Sequence, residues 1–176
     1  MDKDHLDRTP DPAEQLPPEG VLGHWEAVIE DMATTAEEYR GAGWEVLSLH
    51  PGDVAPVSGE RSTIEGNGIE LIVPGEDARR VRESVTAPDA AFDSCSVYRA
   101  VVEGIVFLVV AVEDPRREAV VLFPAYYDND DPDTRDVFET AVRNGRIHTH
   151  VRDLSGETVS TFTHDEPELF TAPAKE

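Results

Sequence analysis

Eight consecutive residues, Ile105 to Val112 (I-V-F-L-V-V-A-V), are apolar at odd and even positions alike. Side chains of a strand alternate between faces, so such a run is a strand covered on both sides and placed centrally in its sheet. It is far shorter than the roughly 20 apolar residues of a membrane-crossing helix. No stretch of the 176 residues approaches that length, so no membrane role is expected.

The surrounding pattern supplies the partners of this strand. Strands are predicted over 92–102 and 118–125, joined to it by tight turns at Glu103–Gly104 and Asp114–Arg117. W-E-V-L-S-L (44–49), G-I-E-L-I-V (68–73), R-I-H-T-H-V-R (146–152) and residues 157–164 read as four more, the last two turned at Ser155–Gly156. Residues 54–67, with Pro56, Gly59, Gly66 and Asn67, read as a loop or irregular hairpin arm. Leu22, Trp25, Ile29, Met32, Ala36 and Tyr39 form one apolar stripe on a helix over 21–41. A short helix over 76–85 carries Ala78, Val81 and Val85, and a third runs from an Asp131–Pro132 start to Gly145. The order is α-β-β-α-β-β-β-α-β-β. Short turns make antiparallel neighbours. The predicted fold class is therefore α+β, a single antiparallel β-sheet of about six or seven strands with helices packed mainly on one face. One domain is expected over 20–170, after a disordered acidic, Pro-rich tail at 1–19 and before a flexible C-terminal tail at 171–176.

The charge balance narrows the function classes. Lys and Arg number 15 against 37 Asp and Glu, a formal net charge of -22. Phosphate binding needs a cationic surface, so no nucleic-acid partner is expected. Lys occurs only at Lys3 and Lys175; the other thirteen cations are Arg. A Lys-poor, carboxylate-rich surface suits molar salt, where the Debye length shrinks to about 3 Å and self-repulsion is screened. A DNA mimic is the rival reading. It would gather its carboxylates on one face, whereas these are spread along the chain. The opening M-D-K-D-H-L-D-R-T-P-D-P carries no apolar signal region, so the expected location is cytoplasmic. A lone Cys95 has no disulfide partner and reads as a small buried apolar residue.

Four strings, G-H-W-E-A-V-I-E-D-M, T-A-E-E-Y-R-x-x-G-W-E-V-L-x-L-H-P-G-D-V, V-L-F-P-A-Y-Y-D and T-F-T-H-D-x-P-E, resemble a family of halophilic-archaeal (haloarchaeal) proteins of unknown function over roughly 20–170. The resemblance implies a saline setting and carries no activity, ligand or catalytic residue.

Candidates for chemistry are few. His148 and His150 sit two apart on a strand and leave the same face roughly 7 Å apart, a spacing suited to gripping zinc if a third ligand joins. His164 is the obvious third. If the Ser155–Gly156 hairpin pairs residues whose numbers sum to 311, however, His164 opposes Ile147 and faces the other way, and only a one-residue bulge would bring it across. The simpler expectation puts Ile147, Thr149 and Val151 in the core and Arg146, His148, His150 and Arg152 toward solvent, with no metal. That stripe is also the most basic short stretch of the chain and could form a groove for an anion. Tyr127, beside Asp128, is a candidate for a ligand cleft. Asp128, Asn129, Asp130, Asp131 and Asp133 lack the central glycine of a calcium loop and read as capping carboxylates. No Walker loop, G-x-G-x-x-G, G-x-S-x-G, C-x-x-C or H-E-x-x-H occurs. The sequence therefore favours a non-enzymatic interaction or regulatory domain, using a sheet face or edge strand toward an unknown protein partner, with no cofactor and no catalytic residue assigned. The alternative is a small-molecule binder or enzyme around His148, His150 and Tyr127.

Overall fold

The doubly apolar run becomes the middle of an interior strand in a computed structural model that describes residues 19–58 and 66–172. The elements are α1 (Glu19–Gly41), β1 (Glu45–Ser48), β2 (Asp53–Val57), β3 (Gly68–Ile72), α2 (Gly75–Val85), β4 (Ser94–Val102), β5 (Ile105–Asp114), β6 (Ala119–Asp128), α3 (Pro132–Asn144), β7 (Ile147–Arg152) and β8 (Thr158–His164), closed by a 3-10 turn at Pro167–Phe170.

These strands form two sheets, not the single antiparallel sheet the sequence suggests. One has the order β1-β6-β5-β4, the other β2-β3-β7-β8. Each is mixed, because β1 lies parallel to β6 (Glu45↔Ala119) and β3 parallel to β7 (Gly68↔His148). Short turns dictate only the antiparallel neighbours. The two parallel pairs join strands remote in sequence, and they split the set in two.

The helices do not share one face either. Val28, Met32 and Ala36 of α1 pack on Phe107, Val109 and Ala111 of β5 and on Val120 and Leu122 of β6. The other parity of β5, Val106, Leu108, Val110 and Val112, packs toward Ile69, Leu71, Ile147, Val151 and Phe162 of the second sheet. Residues 106–112 are all buried as a result. Each such aliphatic or aromatic side chain contributes about 1.5–3 kcal/mol. Ala78 and Val81 of α2, and Val137, Phe138 and Ala141 of α3, complete this inter-sheet core.

Local signals act where expected. Glu103 (φ 51°) and Gly104 (φ 84°) form the β4–β5 turn in the left-handed region that a two-residue hairpin requires. Asp131 caps α3 by accepting from the Asp133 and Thr134 amides, and Gly145 ends the helix at φ 77°. Asp114 is fully buried at the end of β5. It accepts from the Ala91 amide at 2.8 Å and from Arg117 Nε at 2.7 Å, while Arg117 also donates to the Ser84 carbonyl. Burial alone would raise the pKa of this carboxyl, but the donors at Ala91 and Arg117 outweigh it and hold the group below its ordinary value. One carboxylate thus fastens the β5–β6 turn to α2 and to the segment before β4.

Of the expected tails, residues 1–18 and 173–176 lie outside the described residues. Thr171 and Ala172 lie within them and are half-buried, with the Thr171 hydroxyl donating to the Glu168 carbonyl.

Candidate functional site

The histidine stripe sits on β7, an interior strand of the second sheet. The hairpin pairs Ile147 with His164 and Thr149 with Phe162, the register that sends His164 to the opposite face from His148 and His150. Ile147, Thr149 and Val151 are fully buried toward the inter-sheet core. His164 joins them, its Nε2 2.9 Å from Thr149 Oγ1 and its ring stacked on Phe170. Burial pushes its pKa down to about 4, with His148 adding in the same direction. The three imidazoles therefore do not converge. Among the described residues no group of three His, Cys, Asp or Glu side chains is placed to hold a metal.

His148 and His150 lie on one face with near-parallel rings 5.8 Å apart. They are not the solvent-facing pair that alternation predicts, because His150 is fully buried. The cause is the chain entering β3, which crosses above them. A Cβ on Gly66 would lie 1.9 Å from His148 Cδ2, and one on Gly68 would lie 1.8 Å from the His148 carbonyl oxygen. Only glycine permits so close an approach. The Gly66 carbonyl is an acceptor, so the His150 Nε2 3.1 Å away is the protonated nitrogen. Nδ1 then accepts from the Thr161 hydroxyl at 3.1 Å. Burial lowers the His150 pKa, against the opposing pull of the Gly66 carbonyl and Glu70. Both nitrogens of this neutral ring are taken.

The remaining sequence candidates separate. Arg152 shares the face of the two histidines, but donates to Glu70 at 2.8 Å and to the Gly156 carbonyl. Arg146 is exposed beyond the end of α3, where its amide donates to the Ala141 carbonyl. Tyr127 belongs to the core: its hydroxyl donates to the Phe170 carbonyl at 2.7 Å and its ring stacks on Phe138. Its neighbour Tyr126 turns the other way and meets Trp25 edge-on. Cys95 is half-buried, and burial, helped by Glu113 and Glu166, pushes its thiol up to about 12. It stays protonated at neutral pH.

Two surfaces stand out that the sequence did not single out. The first is an open cleft of about 1030 Å³ beside α3, where Val101, Phe138 and Val142 meet Arg135 and Arg143. The second is the free side of β4. This nine-residue strand pairs only with β5 among the described strands. Every second residue therefore turns its N–H and C=O outward. Tyr98 is 53% exposed and Val101 44%. The strand, S-C-S-V-Y-R-A-V-V, contains no acid in a chain of net charge -22. That contrast was the available signal.

A family of unknown function, DUF7529, matches residues 14–172, a span that includes every described residue. The chain belongs to the DUF7529 family. Searches of curated proteins and of solved structures found no match. The DUF7529 region described here contains no helix long and apolar enough to cross a membrane.

Proposed function

We propose that this DUF7529 protein is a non-enzymatic interaction protein of a salt-rich, haloarchaeal cytoplasm, and that it meets its partner along β4. The observation that carries the reading is the β4 edge, which no other described strand pairs. Native edge strands are normally short, charged, covered or interrupted by proline, because an open ladder recruits other chains. β4 is long, lacks proline, and exposes Tyr98 and Val101. Its one charged side chain, Arg99, is turned onto the carbonyls of Glu168 and Leu169. The -22 charge and the near-absence of Lys support the saline setting. The resemblance to haloarchaeal proteins supports it too.

A second reading, a small-molecule binder, is favoured by the cleft beside α3. Its apolar floor is rimmed by charges of both signs, Arg135 and Arg143 with Asp130 and Glu139, which suits a largely apolar ligand with polar ends.

The test places a photo-crosslinking amino acid at Tyr98 in living cells, with Leu154, exposed in the β7–β8 turn, as control. Light-dependent adducts at position 98 and none at 154 are expected. No adduct at 98 removes the β4 reading and leaves the cleft as the surface to pursue.

A further inference from the structure

We propose that the cleft beside α3 binds a small zwitterion with an apolar body, an apolar amino acid or dipeptide, with its carboxylate on Arg143 and its ammonium on Glu139. The inference rests on the cleft being a ligand site, the second of the two readings above. It adds the class of ligand and the two side chains that orient it.

The helix supplies the spacing. Arg135, Glu139 and Arg143 follow one another at intervals of four along α3, and all three line the cleft. Residues four apart share one face of a helix and are about 6 Å apart along its axis. An acid one turn before a base is the favoured order for an ion pair within a helix. Glu139 and Arg143 have that order and do not pair. Arg143 donates instead to the Thr140 hydroxyl at 3.0 Å. Arg135 turns to the Asn129 carbonyl at 3.1 Å, with Asp130 at 3.9 Å. Among the described residues Glu139 meets no cation and Arg143 no acid. The far end of the cleft is different. There Asp130 lies against the β4–β5 turn, where a Cβ on Gly104 would come within 2.2 Å of its Oδ2, and Arg135 already offsets its charge.

Two opposite charges one helical turn apart therefore stand unmatched beside the apolar floor of Phe138 and Val142. Simpler ligands suit this arrangement less well. An amphipathic anion would satisfy Arg143 but bring a second carboxylate up to Glu139. A neutral apolar molecule would leave both charges without a partner. A zwitterion answers both. Its carboxylate accepts from the forked guanidinium, its ammonium donates to Glu139, and its apolar side chain covers the floor. The charged ends of an amino acid are roughly 3 Å apart and those of an extended dipeptide roughly 7 Å, within reach of two side chains rooted about 6 Å apart. The cleft, at about 1030 Å³, admits either.

Calorimetric titration of the full chain in about 1 M KCl, where self-repulsion is screened, is the measurement, with leucine and leucyl-leucine as probes. At least one should bind. Acetylating the amine of that probe, or amidating its carboxylate, should each weaken binding at least about fivefold. Arg143→Gln should then bind the zwitterion and its amide alike, and Glu139→Gln the zwitterion and its acetyl form alike. Both side chains are exposed, so the melting temperature of each variant should match that of the parent. Blocked probes that bind as tightly as the free one overturn the proposal and leave the cleft reading standing. Discrimination that survives both substitutions also overturns it. If no probe binds, free or blocked, the proposal and the cleft reading fall together.

Discussion

Protonating His164 should destabilise this protein, and the size of the effect follows from where the ring sits. His164 is packed against Phe170 and bonded to the Thr149 hydroxyl, and burial holds its pKa at about 4. In the unfolded chain it returns to the ordinary value of about 6.5. Above that value the ring is neutral in both states and pH has no leverage. As pH falls below it, the unfolded chain takes up a proton that the folded chain refuses, so stability declines until the folded value is reached. At about 1.36 kcal/mol per unit, the window from about 6.5 to about 4 amounts to about 3 kcal/mol, of which about 2 is lost by pH 5. His150, also buried with a lowered pKa, acts with the same sign. Urea unfolding in about 3 M KCl, where surface carboxylate repulsion is screened, should show this loss between pH 7 and pH 5. His164→Gln keeps an amide near Thr149 but cannot titrate, so its loss over the same interval should be smaller by about 2 kcal/mol. Equal declines in both proteins, or a flat wild-type profile, would refute the argument.

Two further outcomes are expected. Asp114→Ala removes the acceptor of the Ala91 amide and of Arg117 Nε, and should cost about 1–3 kcal/mol in urea unfolding at pH 7, whereas Asp114→Asn, which retains an acceptor, should cost less. The melting temperature of the full chain should rise steadily from about 0.1 M to about 3 M KCl, since a charge of -22 repels itself until screened. A flat series would remove the saline reading.

Local chemistry was the legible part. The period of α1, the Asp131–Pro132 start of α3 and the turn at Glu103–Gly104 all follow from side-chain spacing and turn residues; the β7–β8 register was one of two open to the hairpin, and the bulge lies at Val151–Arg152, too near the turn to bring His164 across. What was hidden depends on contacts between remote segments. β2, in the stretch read as a loop or irregular hairpin arm, is a strand paired antiparallel with β3 that tolerates Pro56 because it lies at a sheet edge. β6 carries Pro124 within its length, beyond the last β1 pair at Ser48↔Leu122. The faces of His148 and His150 could be read from alternation. The burial of His150 could not, because the chain that covers it at Gly66 is more than eighty residues away in sequence. Tyr127 was half-read: one of the two adjacent tyrosines had to point inward, and nothing local says that it is this one.

The parallel pairing of β3 with β7 also sets the order in which the molecule can be assembled. The β4–β5–β6 meander joins neighbours in sequence, so its pairings close small loops and need nothing that follows them. The second sheet has to wait. Gly68 meets His148 across 80 residues of chain, and at roughly 5–20 residues per second that segment takes a ribosome about 4–16 s to deliver. Throughout that interval β3 presents to solvent the edge that β7 later fills, and Ile147 and Val151 are missing from the core beside Ile69 and Leu71. The vulnerable moment in the life of this chain therefore falls during its synthesis, before β7 arrives. Substitutions in β7 that delay its docking should reduce the yield of soluble protein by more than their effect on the finished fold would suggest.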